Sequence, residues 1–501
     1  MNSLRNILTI LLLLLVFRTT VAEDGIPMRG CRRGVLPSVT RTNRAAGVPK
    51  QVGGNFYVGD RRQLVVLVSF ADQQFMQTDP LPVWDRIFNE PNYTEPPFYG
   101  SVYDYFYAQS GGQFRLSFDL LYIALDQNRE RYHSTPGMDG DDENSQYLVN
   151  DLVDILQYYD IDWSLYDWDG NGYVNQLLIV YAGKGMNWDG DKNTIWPHQW
   201  WLSAHKKDHQ PDVYCEPRAV TSGGKQYFID AYCAVQEEAH GDYRIFGTIC
   251  HEYTHCFGFP DFYYNGTKFI GMWDLMDYGN LNGDGYCPAG YSAHERWLMG
   301  WLTPIELTES MTVTDIPPLS EESRAYLIRN DDYSNEYYMI ENRQPSQFDV
   351  KLPGSGLVVF HIDYDENVWL TGWPNSSKEQ HYTIFPANNK SSTDFLSGWA
   401  YPFEENNSLT DTSYPAAKLW HVRSDGSTLM SKSLTNMTVN SDGMASFDFM
   451  MKESGIHDFS MFNGQCSMVN GQCYDLQGRK FSGCPLQKGL YILNGCKMVV
   501  K

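Results

Sequence analysis

At 501 residues the chain has room for about three domains of ordinary size, and its 42% hydrophobic and 15% aromatic content is ample for packed cores. Its formal net charge of −23 argues against nucleic acid and anionic membranes as partners, because such a surface repels phosphate. After the N-terminus no run is apolar for the roughly 20 residues that a bilayer-crossing helix needs.

Residues 1–22 read as a signal peptide. Arg5 supplies a positive start, Ile7 to Phe17 an apolar stretch too short to span a membrane, and Thr20-Val21-Ala22 small residues before a cut. Removing this leader takes away Arg5 and Arg18 and no acid, so −23 becomes −25. Residues 23–58 are basic and aperiodic, an N-terminal extension or a short pro-segment. Cys31 in RGCRRG is a candidate latency thiolate for a metal. Ten cysteines in an exported chain permit disulfides, but no C-x-x-C pair suggests a structural zinc site. Cys250 and Cys256 read as small buried hydrophobes.

The continuous apolar run from Leu64 to Phe70 predicts a buried strand. Helical spacing of Leu148, Leu152, Ile155, Leu156 and Tyr159 predicts an amphipathic helix over 147–159. In DWDGNGYVN, Asp167, Asp169, Asn171, the Tyr173 carbonyl and Asn175 alternate as the oxygens of a calcium loop do, with Gly172 at the turn. The twelfth position is Leu178, where an EF-hand needs glutamate, and a strand over 174–181 follows. The pattern is therefore a calcium loop completed from elsewhere, or an Asp-Gly hairpin turn. His198 in IWPHQW reads as a structural histidine or a cleft residue.

The most specific signal is HEYTHCFGFPD at 251–261, within a helix predicted over 245–257. His251 and His255, four apart, project from one helix face and can grip one zinc ion, with Glu252 beside them as general base. Gly258 suits a helix stop, Pro260 blocks a restart, and the chain can bend back to offer Asp261 as third ligand. Two histidines and one carboxylate leave the fourth position open, as a catalytic zinc needs. Glu295, on a helix predicted over 291–299 that also carries His294, is the alternative carboxylate. In GMWDLMDYG, Met276 is the candidate for the methionine turn of metzincins, ahead of Met272, and Tyr278 a candidate donor near the metal.

HEYTHCFGFPD, the preceding GTIC, WDLMDYG and PAGYSAHERWLMGW together resemble the immune inhibitor A family of secreted bacterial metallopeptidases. LVVLVSFAD, DWDGNGYVNQLLIVYAG, IWPHQW and YMIENRQPSQFDVKLPGSGLVVFHID extend the likeness over roughly residues 60–450. The resemblance implies a secreted or cell-surface zinc endopeptidase. Alternating strands and helices predict a mixed α/β catalytic domain over 59–305, and the Met276 turn candidate and the resemblance imply that it is metzincin-like. From Pro304 the texture changes to short alternating strands, among them Leu357–Ile362 and Ser446–Phe449, which predicts a β-sandwich-like domain over 306–453. Residues 454–501 predict a small C-terminal β-unit with turns at Gln477-Gly478 and Asn494-Gly495. YDLQGR, KGLY and the terminal lysine are similar to the sorting domains of the Bacteroidota type IX secretion system, which implies contact with that machinery.

These readings converge on a secreted zinc metalloendopeptidase acting on protein or peptide substrates, with a zinc-bound water activated by Glu252. The competing class is a non-catalytic cell-surface binding protein on the same fold, which predicts a lost ligand or a lost Glu252, and neither is lost. A zinc hydrolase of non-peptide bonds is the third reading.

Overall fold

A computed structural model describes residues 57–133, 144–189, 191–207, 210–263, 270–370, 374–376 and 380–451, with five short strands after 455. The signal peptide, Cys31 and the turns at 477–478 and 494–495 lie outside the described residues. The chain divides into two compact units, Met1–Phe449 and Met450–Lys501.

The first unit is built on a five-stranded sheet. Strand β1 (Gly59–Ser69) is an interior strand, parallel to the edge strand β2 (Phe114–Ala124) on one side and to the central strand β3 (Leu177–Lys184) on the other. Strand β5 (Ala231–Glu238) continues in parallel beside β3, and β4 (His198–Trp201) closes the edge antiparallel to β5. The apolar run in β1 is continuous because both faces of the strand are covered. Alternate residues serve two different cores: Val65 and Leu67 join one, Leu64, Val66 and Val68 the other.

On the second of these faces lies α3 (Ser145–Leu156), burying Leu148, Val149, Leu152, Val153 and Leu156. The first face carries α1 (Leu81–Asn89) and α2 (Val102–Gln109), rich in aromatic residues, and α4 (Phe246–Cys256), buried at nearly every position. Helix α2 starts at a capping box between Ser101 and Asp104, which satisfies two otherwise orphaned backbone donors. Helix α5 (Ala293–Leu298) starts the same way, with Ser292 and Glu295.

After α5 come two further sheets. The larger has β6 (Ile305–Glu306), β8 (Tyr326–Arg329), β9 (Glu336–Arg343), β10 (Gly356–Asp363) and β11 (Tyr382–Ile384) in that order. The smaller has β7 (Met311–Ile316), β13 (Ala445–Phe449) and β12 (Leu434–Val439). The core that fills the α4 face runs on without a break into Leu327, Tyr337, Met339, Phe360 and Tyr382 of the larger sheet. The second unit holds its own five-stranded sheet. Its order is β14 (Ile456–Asp458), β18 (Cys496–Val500), β17 (Gly489–Leu493), β15 (Cys473–Asp475) and β16 (Lys480–Phe481).

Candidate metal centre

Helix α4 brings His251 and His255 to one face, with ring centroids 4.8 Å apart and planes at 85°. Both are 2% exposed and Glu252 is 4% exposed. Each ring is oriented through Nδ1. That of His251 donates to Leu275 O at 2.8 Å, and that of His255 to Phe259 O at 2.8 Å. A carbonyl can only accept, so each Nδ1 carries a proton and each Nε2 is the nitrogen left to face a cation.

The chain turns back as its residue types require. Gly258 takes φ +100°, a left-handed conformation that glycine adopts without strain, and its N–H bonds His255 O. Asp261 is thereby returned to the helix, 1% exposed. Its Oδ1 lies 3.2 Å from His251 Nε2 and 3.4 Å from His255 Nε2. Ligand atoms about 2.0–2.1 Å from one zinc at the tetrahedral angle stand about 3.3 Å apart, so both separations are tetrahedral edges. His255 Nε2 and both oxygens of Asp261 are buried without a hydrogen-bond partner. Nitrogen and carboxylate oxygen donors that converge at this spacing suit a cation. Burial opposes the charged form of His251, yet the carboxylates of Asp261 and Glu252 outweigh it and raise its pKa to about 9, so a metal that binds here takes the place of the Nε2 proton. Donor atoms of His251, Glu252 and His255 lie within 4.8 Å of one another, and Glu252 Oε2 is 4.0 Å from His255 Nε2.

Met276 is fully buried in the turn whose Leu275 carbonyl orients His251. That turn is fixed by Asp274, whose Oδ1 accepts Met276 N–H at 2.8 Å, and by Asp277, whose carboxylate takes the N–H groups of Ile270, Gly271 and Tyr278. Tyr278 is half-buried and stacks on Tyr263 at 5.9 Å. None of its described contacts reaches His251, His255 or Asp261. Glu295 is not at the centre: its Oε2 accepts Ser292 N–H at 2.7 Å and caps α5. His294 bonds Tyr337 through Nδ1. His198 is a satisfied edge-strand residue, held by Trp196 O at 2.6 Å and the Tyr232 hydroxyl at 3.0 Å.

The loop at 167–175 folds on its own polar groups. Asp167 Oδ2 accepts Gly172 N–H, Asp169 accepts from Asn171, Asn171 Oδ1 from Tyr173 N–H, and Asn175 Oδ1 from Trp168 N–H. Lys225 Nζ stands 3.5 Å from Asp167 Oδ2, while Asp167 Oδ1 is buried without a partner. Beyond that one oxygen, the arrangement gives calcium no support. The side chain of Tyr173 stacks on Phe228.

Sequence reasoning missed the groups that orient the ligands. The carbonyls of Leu275 and Phe259 leave no signal, since every residue offers one. Asp274 was visible in principle, because aspartate two residues before Met276 is the signature of an Asx turn.

Residues 62–300 match the family model of the immune inhibitor A peptidase M6 catalytic domain. No curated protein sequence matches the chain. The family match supports a metallopeptidase with protein substrates and a metal cofactor. Among the described residues no helix is long and apolar enough to cross a membrane.

Proposed function

We propose that the chain is a secreted zinc-dependent metalloendopeptidase that hydrolyses peptide bonds in extracellular proteins. The observation that carries this reading is the convergence of His251 Nε2, His255 Nε2 and Asp261 Oδ1 at tetrahedral spacing, with Glu252 alongside. These three residues would hold the zinc, which when bound supplies a Lewis acid for the scissile carbonyl and for water. Glu252 accepts the proton of the attacking water and passes it to the leaving amine. Nδ1 bonds to Leu275 and Phe259 keep both histidines aimed while that transfer takes place. Tyr278 keeps the role of oxyanion donor in this reading, tested by Tyr278→Phe, which should lower kcat with zinc retained. Export rests on the leader and on the family resemblance, and contact with the type IX machinery on the tail. The calcium reading of the 167–175 loop rests on its oxygen pattern and on Asp167 Oδ1.

The test is Glu252→Gln in the full chain, with zinc content and casein cleavage measured on the same preparation. Zinc should remain at one per chain while cleavage falls by about 10²–10⁴-fold, the usual contribution of a positioned acid–base group. Substantial cleavage by the zinc-replete variant would overturn the mechanism.

A further inference from the structure

The residue after Asp261 is held from two directions. Phe262 N–H donates to Met276 O at 2.9 Å, in the turn whose Leu275 carbonyl orients His251. Phe262 O accepts from Asn375 Nδ2 at 2.7 Å. Asn375 is 1% exposed and lies beyond the 62–300 segment that matches the peptidase family. Its amide is fully employed: Nδ2 also donates to Tyr382 O at 2.8 Å, and Oδ1 accepts Tyr382 N–H at 3.0 Å. Both donors and one acceptor of this side chain therefore tie Phe262 to the first residue of β11.

Tyr382 reaches the same place through its ring. The ring lies against Phe262 with centroids 4.1 Å apart. Its hydroxyl is 3.1 Å from Asp274 Oδ2 and 2.7 Å from Ser292 Oγ. Asp274 is the residue whose other oxygen fixes Met276 N–H. Two side chains from beyond residue 300, Asn375 in a turn and Tyr382 at the start of β11, thus secure both the backbone that presents Asp261 and the turn that aims His251.

We propose that Asn375 and Tyr382 are positioning residues of the metal centre, so that zinc affinity depends on a part of the chain outside the matched catalytic segment. This rests on the zinc reading above. The physical reason is the placement of Asp261 on a loop, not on α4. A ligand on a loop holds its geometry only as well as the groups around it do. Loss of a group bonded directly to a ligand costs about 10–100-fold in metal affinity, and Asn375 acts one residue further out, so its loss belongs at the lower end, about 10-fold.

The experiment uses the full chain with Asn375→Ala, Tyr382→Phe and a control, Tyr338→Phe. The control removes a buried hydroxyl bond to Lys418 O (2.6 Å) from β9 of the same sheet, away from Phe262. Zinc affinity is read by competition with a chromogenic chelator, and ligand geometry by the visible absorption of the cobalt-substituted protein. Melting temperature is recorded for each. Asn375→Ala should weaken zinc about 10-fold and alter the cobalt spectrum. Tyr382→Phe should do the same to a smaller degree, and it carries the test if Asn375→Ala does not fold. Tyr338→Phe should lower the melting temperature and leave zinc affinity unchanged. Wild-type affinity in both site variants, or equal weakening in the control, overturns the inference. A wild type that binds no zinc overturns the proposed function itself.

Discussion

Gly247 is where α4 can be pushed off the turn that orients His251 by a single methyl group. It lies one helical turn before His251, and a Cβ added there would stand 1.9 Å from Asn280 O, a backbone atom that cannot rotate away. Two effects of Gly247→Ala oppose each other. Alanine favours a helix interior over glycine by roughly 0.5–1 kcal/mol. Overpacking a filled contact costs about 1–3 kcal/mol, so the net expectation is destabilisation of roughly 1–2 kcal/mol. Restoring ordinary contact at 3.4 Å from 1.9 Å requires a separation of about 1.5 Å between α4 and the Asn280 backbone. The bond from His251 Nδ1 to Leu275 O, 2.8 Å long, spans this same junction and would be stretched or lost. A misplacement of about 1 Å can cost 10²-fold in rate. Urea denaturation gives the stability change, and casein cleavage at saturating zinc gives the catalytic one. If Gly247→Ala is as stable and as active as the wild type, helix propensity has outweighed the contact and the backbone-to-backbone packing argued here is wrong.

The remaining predictions concern the ligands, pH, calcium and the tail. Asp261→Ala should lower zinc occupancy and activity together, whereas Glu295→Gln should keep zinc at one per chain; the reverse pattern in metal analysis would exchange their roles. Glu237, 1% exposed, has its pKa pushed up to about 7 by burial, against the N–H groups of Gly183 and Met76. Its folded value lies above its unfolded one, so its contribution to stability is full below about pH 4.3 and is lost as pH rises through 7. Relative to Glu237→Gln, the wild type should therefore lose on the order of 3 kcal/mol between pH 4.5 and 7, and a flat difference in denaturation free energy would contradict the burial argument. Because the 167–175 loop satisfies its own polar groups, calcium should leave the melting temperature unmoved; a rise that Asp169→Ala blunts would restore the calcium reading. Deleting 455–501 should leave a folded, active peptidase, and inactivity of the purified truncation would assign the tail a structural role.

How far the sequence could be read depended on whether a residue's burden was local. The strand at Leu64–Phe70 and the helix at 245–257 appear within a few residues of their expected bounds, because continuous apolarity and the H-E-x-x-H spacing are local patterns. Asp261 was reachable because Gly258 and Pro260 dictate the turn between it and the helix. Helices α1 and α2 left no clear signal, since VYDYFYAQ is as strand-like in composition as it is helical, and only its capping box and packing decide. The strand expected from Val174 starts at Leu177, because Val174 N–H is taken by Phe228 O outside the main sheet.

The change of texture at Pro304 is real in period, but burial does not respect it. Arg343 in β9 is fully buried, with Asp349 and Glu341 as ion-pair partners and Gly290 O as a further acceptor. Asp349 also accepts Gly290 N–H, and Glu341 accepts Ala293 N–H, so this charged group grips the backbone that leads into α5. Buried charges are tolerated only when paired and hydrogen-bonded throughout, and a partial set would be costly. Read along the chain, arginine and glutamate in an alternating strand look like a solvated face. Their backbone partners, Gly290 and Ala293, lie some fifty residues upstream, so only the fold reveals that the strand is buried on both sides. The same blindness hid Asn375 and Tyr382. A family pattern that ends at residue 300 contains every proposed ligand of the metal, and still omits the side chains that hold those ligands in place.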